Sequence, residues 1–506
     1  MGIVRKQSFY STILVYISMF IGYINLIILM PHFFTPGETG MTRTILAIAV
    51  AMAQLTELGT SSIIYRFFPL YKKNNAKDFL SLITLIPLAG FCLLCLLGIV
   101  FEDGMFKSYY INNPELKQYN YLIFYLTFFT LVSAVGTNYC IVNLKTVFPK
   151  AINELIPKLG NTILILLFAN KVLDFSQYFF WFCSLTAFSA VTIWIYIGII
   201  GALKFDFNPS HLSKKVYKNI IKFGVVAILG SSFATILNYI DVIMLGGMRG
   251  QTDVATFSIG YYIINIMSVP FAATIAVVIP LLSSAIRHKK WDDVLKHYRQ
   301  TSLTNFIIGS YIFILLLVIF PDIMNMLPAS YAFDNALYIV LFMGIGRLLD
   351  MITGCNSEII ILSRHYMFNF YSIIVVSLLK IVMNYYLIND FGILGLSLSG
   401  LIILFLFNAC RYLYIYYKMG IQPFTMQTLK AVILVIVLAS VAWFALELLD
   451  FHIDQHKYYS ALLQVVVKSV LWTLLFIPVM LFLKISPELN SFYKLIISRL
   501  SSLLKI

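Results

Sequence analysis

Apolar residues run along this chain for about twenty positions at a time, broken only by short charged or Pro- and Gly-rich stretches. A hydrocarbon core roughly 30 Å thick takes about 20 apolar residues to cross as a helix. The runs therefore predict spanning helices near 10–30, 42–65, 79–101, 119–143, 155–170 and 175–203. A second set lies near 219–247, 256–285, 302–327, 335–362, 367–389, 393–417, 429–449 and 460–484. About fourteen spans leave little chain for a soluble domain. The first run, Tyr10 to Met30, is too long for a signal-peptide core and lacks a small-residue cleavage site, so it is expected to stay in the mature protein.

Composition agrees with an all-α membrane protein. Of 506 residues, 60% are apolar and 11% charged, where a soluble domain carries about 25% charge. The six cysteines (Cys92, Cys95, Cys140, Cys183, Cys355, Cys410) all fall in apolar runs and read as small packing residues. Cys92 and Cys95 form a CxxC, but neither a βαβ context nor a second ligand pair accompanies it, so no metal site is expected.

Charge orients the spans. With the N-terminus in the cytoplasm, 27 of the 36 Lys and Arg fall on inside loops and six (Arg43, Lys107, Lys117, Lys171, Arg249, Lys457) outside. This asymmetry is what the positive-inside rule demands, and one extra or missing helix would invert every later loop. Both termini are then cytoplasmic and the protein sits in the inner membrane. The net charge of +14 matches anionic lipid headgroups, and no nucleic-acid partner is needed to explain it. Lys494, Arg499 and Lys505 among leucines and isoleucines predict an interfacial C-terminal helix.

A weak internal repeat divides the chain. The segment from Tyr23 to Leu29 (YINLIIL) matches that from Tyr239 to Leu245 (YIDVIML) at four of seven positions, and Pro69-Leu70 pairs with Pro280-Leu281 at a similar offset. An offset of six helices preserves orientation, giving parallel repeats. The expected organisation is a six-helix lobe over 1–204, a cytoplasmic linker over 205–218, a second lobe over 219–418, and two added helices with an amphipathic tail over 419–506. Asn25 and Asp241 would then hold equivalent places and face each other across a cavity.

The repeat, the second helix with Gly40-Met41-Thr42-Arg43 and Leu58 to Arg66 (LGTSSIIYR), and the stretch from Asn384 to Gly400 carry a resemblance over nearly the whole chain. The sequence resembles the polysaccharide-exporter, O-antigen-type flippases, a family grouped with multidrug exporters and lipid II flippases in one superfamily. The resemblance implies two six-helix lobes in a V around a central cavity, two peripheral helices, and alternating access. It implies as cargo an oligosaccharide on undecaprenyl pyrophosphate, and as working partners a polysaccharide polymerase and glycosyltransferases.

Seven charges fall at mid-membrane: Glu57, Asp241, Arg347, Asp350, Glu358, Lys380 and Lys468. Each costs roughly 2.5–3.5 kcal/mol to insert, so such groups face a bundle interior or an aqueous cavity. Gln54, Glu57, Ser61 and Tyr65 share one helix face, as do Ser231, Thr235, Asn238 and Asp241, and Ser258, Tyr262, Asn265 and Ser268. These faces read either as one wet surface or as interhelical hydrogen-bond glue. Arg347 and Asp350 at i,i+3 form a local pair, or Arg347 offers a bidentate fork to pyrophosphate with Lys380 as a point charge. Glu358 lies on the same arc.

Glu57 and Asp241 are candidates for H+ or Na+ coupling. Lys468, on a peripheral helix, reads as structural or oligomeric, and His32 as an interface residue. No P-loop, nucleophile elbow or HExxH is present, so neither an enzyme nor a cofactor is expected. The alternatives are a cation-coupled multidrug exporter or a lipid II flippase. The topology makes a direct prediction. A cysteine placed between Arg287 and Arg299 should stay unlabelled by an impermeant thiol reagent added outside intact cells, and labelling there would reverse the orientation.

Overall fold

The computed structural model describes residues 3–71, 76–100, 107–200, 214–328, 331, 335–447, 457–486 and 490; among them the chain is helical, without strands. The expected C-terminal interfacial helix and most of the 205–218 linker lie outside the described residues. Helices are the natural choice here, since in hydrocarbon every backbone N–H and C=O must be satisfied within its own segment.

The spans, in chain order, are α1 (Ile13–Phe33), α2 (Pro36–Thr56 continued by Thr60–Phe68), α3 (Phe79–Gly98), α4 (Pro114–Val142), α5 (Val147–Ala169) and α6 (Phe175–Ile199). They continue as α7 (Lys214–Met248), α8 (Gln251–Arg287), α9 (Trp291–Asn325) and α10 (Ala336–Ile352 continued by Asn356–Leu362). The helix Tyr366–Met419 has 54 residues, about 81 Å at 1.5 Å per residue, far beyond one crossing. It breaks at Gly392, where φ is 58° and ψ is −130°. A Cβ at Gly395 would fall 1.9 Å from the Leu387 carbonyl oxygen, so the chain doubles back there. The two limbs are α11 (366–391) and α12 (393–419). The last spans are α13 (Met426–Phe444) and α14 (Tyr459–Phe482). Fourteen spans among the described residues match the fourteen expected.

Several spans are not continuous. α2 bends by 47° at Glu57–Gly59 and α10 by 50° at Thr353–Cys355. π-helical turns interrupt α1 at Ile24–Leu29 and α5 at Ala151–Leu155, and a 3₁₀ turn interrupts α8 at Asn265–Met267.

Packing gathers the chain into two bodies, Met1–Ile259 and Gly260–Ile506. In the first, α7 lies along α2 because small residues let the backbones approach. A Cβ at Gly246 of α7 would sit 3.0 Å from the Thr44 hydroxyl, and just beyond α7, at the start of α8, the Gln251 carbonyl oxygen lies 1.8 Å from where a Cβ at Gly40 would be. Thr44 Oγ1 also donates to Gln251 Oε1 at 2.6 Å. So α7, which follows the expected linker, packs within the first body. Ile63, Phe68, Phe79, Tyr139 and Ile193 make its apolar core. The core of the second body includes Leu282, Tyr298, Ile359 and Ile415.

The added helix α14 is fixed to α9. Lys468 Nζ bonds Asp322 Oδ2 at 2.8 Å, and Trp472 Nε1 donates to the Tyr311 carbonyl at 3.0 Å. Lys468 is thus structural, as the sequence implied. Removing one partner of a buried pair strands the other at about 3–5 kcal/mol. Asp322→Ala should therefore lower the melting temperature and membrane abundance sharply, while Asp322→Ala with Lys468→Ala recovers most of both. A double variant as poor as the single one would show that the pair does not couple the two helices.

Candidate functional site

In the first body the polar groups gather at the bend of α2. Leu58 and Gly59 have φ of 51° and 73°, and this left-handed turn stops the helix just after Glu57. Gly59 fits because a Cβ there would lie 2.9 Å from the Gly224 carbonyl oxygen on α7. Glu57 is 4% exposed and accepts three hydrogen bonds: from Gln54 Nε2 (2.9 Å), from the Ser61 backbone N–H (2.8 Å) and from the Ser61 hydroxyl. Asn138 of α4 donates to that hydroxyl and accepts from Tyr65 at 2.8 Å. On the other side, Gln54 donates to Ser231 (3.3 Å) and accepts from Thr235 (3.2 Å), both on α7.

The polar face expected on α2 is therefore real and is wired to α4 and α7. No Lys or Arg among the described residues makes an ion pair with Glu57. Asp241, also on α7, is buried, whereas Asn238 is exposed and donates to its own helix at Ala234 O. Asn25 is committed elsewhere. Its amide donates to the Lys158 carbonyl and accepts from Thr162, both at 2.8 Å, which ties α1 to α5.

In the second body the charges cluster around the bend of α10. Arg347 Nη1 donates to Asp350 Oδ2 at 3.2 Å, the i,i+3 pair expected from sequence. The other Asp350 oxygen accepts from Asn408 of α12 at 3.1 Å. The Asn408 oxygen accepts in turn from Thr353 and Asn356, each at 3.0 Å, so this one carboxamide rivets both segments of α10 to α12. Gly354 (φ 62°) makes the bend and Ser302 of α9 caps the freed Ile352 carbonyl. The bend changes one expectation: Glu358 does not continue the arc of Arg347 and Asp350 but opens a separate segment.

Lys380 on α11 is buried. Asn265 is engaged locally by Ser268 at 2.7 Å. Sequence reasoning counted Arg411 with the cytoplasmic loops, but α12 runs on to Met419 and leaves Arg411 inside the bundle, 8% exposed. It also missed Asn138 and Asn408. Their signal was a lone amide in an apolar helix. Among the described residues no three His, Cys, Asp or Glu gather as a metal site, and Cys92 and Cys95 are free thiols.

The Gln54 network makes a test of Glu57 possible. In Glu57→Gln the charge-assisted bonds become neutral ones, and an amide N–H₂ would face the donating Gln54 nitrogen unless Gln54 turns over and the Ser231 and Thr235 hydroxyls reverse their roles, Ser231 giving up its bond to the Ala227 carbonyl. The variant should lose about 1–3 kcal/mol of stability, read as a lower melting temperature of the purified protein. An unchanged melting temperature would mean that the network carries no load.

Solved structures that share this fold include a flippase and two transporters. A lipid II flippase MurJ in an inward closed conformation aligns with 93% of this chain and 99% of its own, with a TM-score of 0.70 and 15% identity. An inward-facing multidrug resistance MATE family transporter of the MOP superfamily covers 81% and 94%, with a TM-score of 0.62 and 14% identity. A Vibrio cholerae MATE transporter, VcmN in its bent form, covers 83% and 98%, with a TM-score of 0.53 and 12% identity. No curated protein sequence gives a significant match. The family model described as polysaccharide biosynthesis protein matches residues 4–286, more than half of the chain. This multi-pass membrane protein therefore belongs to the polysaccharide biosynthesis protein family.

Proposed function

We propose that the protein is a flippase that carries an undecaprenyl pyrophosphate-linked oligosaccharide across the inner membrane by alternating access, for surface polysaccharide assembly. One observation carries the reading: family membership in polysaccharide biosynthesis on a chain whose fold aligns almost end to end with a lipid II flippase. The 93% coverage leaves too few residues over to omit both C-terminal helices. Both termini are cytoplasmic in this reading, and a gradient of H+ or Na+ drives the cycle. The MATE likeness favours a second reading, a cation-coupled multidrug exporter.

Flipping moves a pyrophosphate and a sugar past hydrocarbon, so the protein must offer both a cationic contact and neutral hydrogen-bonding faces. Arg347 fits the first role. One nitrogen rests on Asp350 and the side chain remains partly exposed, which leaves donors of its planar fork for a phosphate. The Gln54, Ser61, Tyr65 and Asn138 face fits the second. Glu57, Asp241, Glu358 and Lys380 complete the set of transport residues.

The test measures surface glycan per unit of membrane-inserted protein. Arg347→Ala should lower export about tenfold or more, the worth of a charge-assisted contact of about 1.5–3 kcal/mol. Adding Asp350→Ala should restore abundance but not export. Arg347→Lys should keep the protein abundant and export poorly, since a point charge offsets Asp350 without supplying the fork. Full export in the double variant would end the recognition role of Arg347. Normal surface glycan in a deletion strain would end the flippase reading and favour the exporter.

A further inference from the structure

We propose that the turn at 363–365 and the last two turns of α12 form a binding site for the phosphate group of a lipid headgroup. The turn joins α10 to α11 and is locally built. Ser363 Oγ donates to the Ile360 carbonyl (2.9 Å) and accepts from the His365 backbone N–H (3.1 Å). Arg364 Nε lies 3.2 Å from His365 Nε2 and, being only a donor, requires that nitrogen to accept. The ring proton is therefore on Nδ1, which donates to the Tyr414 hydroxyl at 2.8 Å. Phe368 stacks on Tyr414 with ring centroids 3.7 Å apart and fixes the phenol.

What the site lacks is an anion. Neither Arg364 nor Lys418 forms an ion pair among the described residues, and Arg364 spends its donor on a neutral ring. Burial, and then the charges of Arg364 and Lys418, hold the His365 imidazole below its usual range. One turn deeper lies a further cation that makes no direct ion pair among the described residues. Arg411 gives one bond to the Asn369 amide oxygen (2.8 Å) and lies 3.6 Å from the centre of the Phe407 ring, while its buried Nε–H has no partner. The titratable and charged groups facing His365 are thus Arg364 beside it and Tyr414 and Lys418 on α12, with Arg411 below. The carboxylates Glu358 and Asp350 lie nearer Arg411 and act on it electrostatically.

A tetrahedral phosphate supplies the missing acceptors. Its oxygens take the Arg364 fork, the Lys418 ammonium and the Tyr414 hydroxyl. Once Arg364 turns to the phosphate, His365 Nε2 is free to take one proton from water and donate as well. Binding therefore consumes a proton and strengthens as pH falls through the imidazole range. The turn lies at the ends of its spans, on the face that the charge asymmetry assigns to the cytoplasm, where anionic headgroups concentrate. The inference does not depend on the flippase reading.

The experiment follows the melting temperature of the purified full-length protein with short-chain phosphatidylglycerol, phosphatidylcholine or inorganic pyrophosphate, across the imidazole pH range. Phosphatidylglycerol should raise it well above phosphatidylcholine, and more so at the acid end. Arg364→Gln with Lys418→Gln should lose most of that difference, Arg364→Lys should keep part of it, and His365→Gln should remove its pH dependence. The melting temperature without lipid shows that each variant is folded. A response to pyrophosphate as well supports the same phosphate chemistry. A response to pyrophosphate alone overturns the headgroup assignment. No difference between the two lipids, or an undiminished one in the double variant, overturns the site.

Discussion

Inside hydrocarbon a freed backbone carbonyl or amide has no water to turn to, and the fold is organised around meeting that demand wherever a span is interrupted. The π turn of α5 presents the carbonyls of Ile152 and Glu154 to neighbouring helices. Ser189 of α6 takes the first at 3.1 Å and Ser18 of α1 takes the second at 2.7 Å. Asn25, in the π turn of α1, reaches the Lys158 carbonyl. At the bend of α2 the Glu57 carboxylate caps the Ser61 N–H, and Gly90 of α3 leaves room for the Thr56 carbonyl, which a Cβ there would meet at 2.3 Å. Several of these interruptions are bonded by a neighbouring helix, so there the breaks also mark where helices pack together.

This explains why the interruptions and the polar residues coincide. A bend inside the membrane needs side chains that can cap it, so polar residues gather where the spans are broken. At α10 the Asn408 amide holds Asp350, Thr353 and Asn356 at once. A movement of the bend must break or carry that amide with it. Regular helices in the same bodies carry few such groups, and their sequence is free to be Leu, Ile and Phe.

The sequence made the spans legible because twenty apolar residues have one stable form in a bilayer. The Arg347–Asp350 pair was legible because i,i+3 geometry is local, and the Gln54, Glu57, Ser61 face because a 3.6-residue period survives a short bend. What failed was non-local. Asn25 looked like a cavity residue by its repeat partner, yet α5 absorbs its amide. Glu358 left its arc because Gly354 adopts a left-handed conformation that no period reveals. Arg411 was read as a loop cation because a charge near a helix end usually is one. Only the packing of α11 on α12 shows Asn369 and Phe407 receiving it.

The buried cations differ in what they have left to offer. A lysine in contact with a carboxylate, as Lys468 is with Asp322, has its field largely cancelled and contributes to architecture. Arg347 keeps part of its capacity because one nitrogen meets Asp350 and the rest of the fork does not. Arg411 makes its direct contacts with an amide oxygen and an aromatic face, while the Asp350 and Glu358 carboxylates offset its charge from further away. Arg66, at an exposed position in the first body, likewise lies over an aromatic face, 4.3 Å from the centre of the Phe223 ring. A count of buried positive and negative residues therefore misjudges the sign that an incoming ligand meets. What matters is whether a carboxylate touches the cation, as Asp322 touches Lys468, or acts on it only from a distance, as Asp350 and Glu358 act on Arg411.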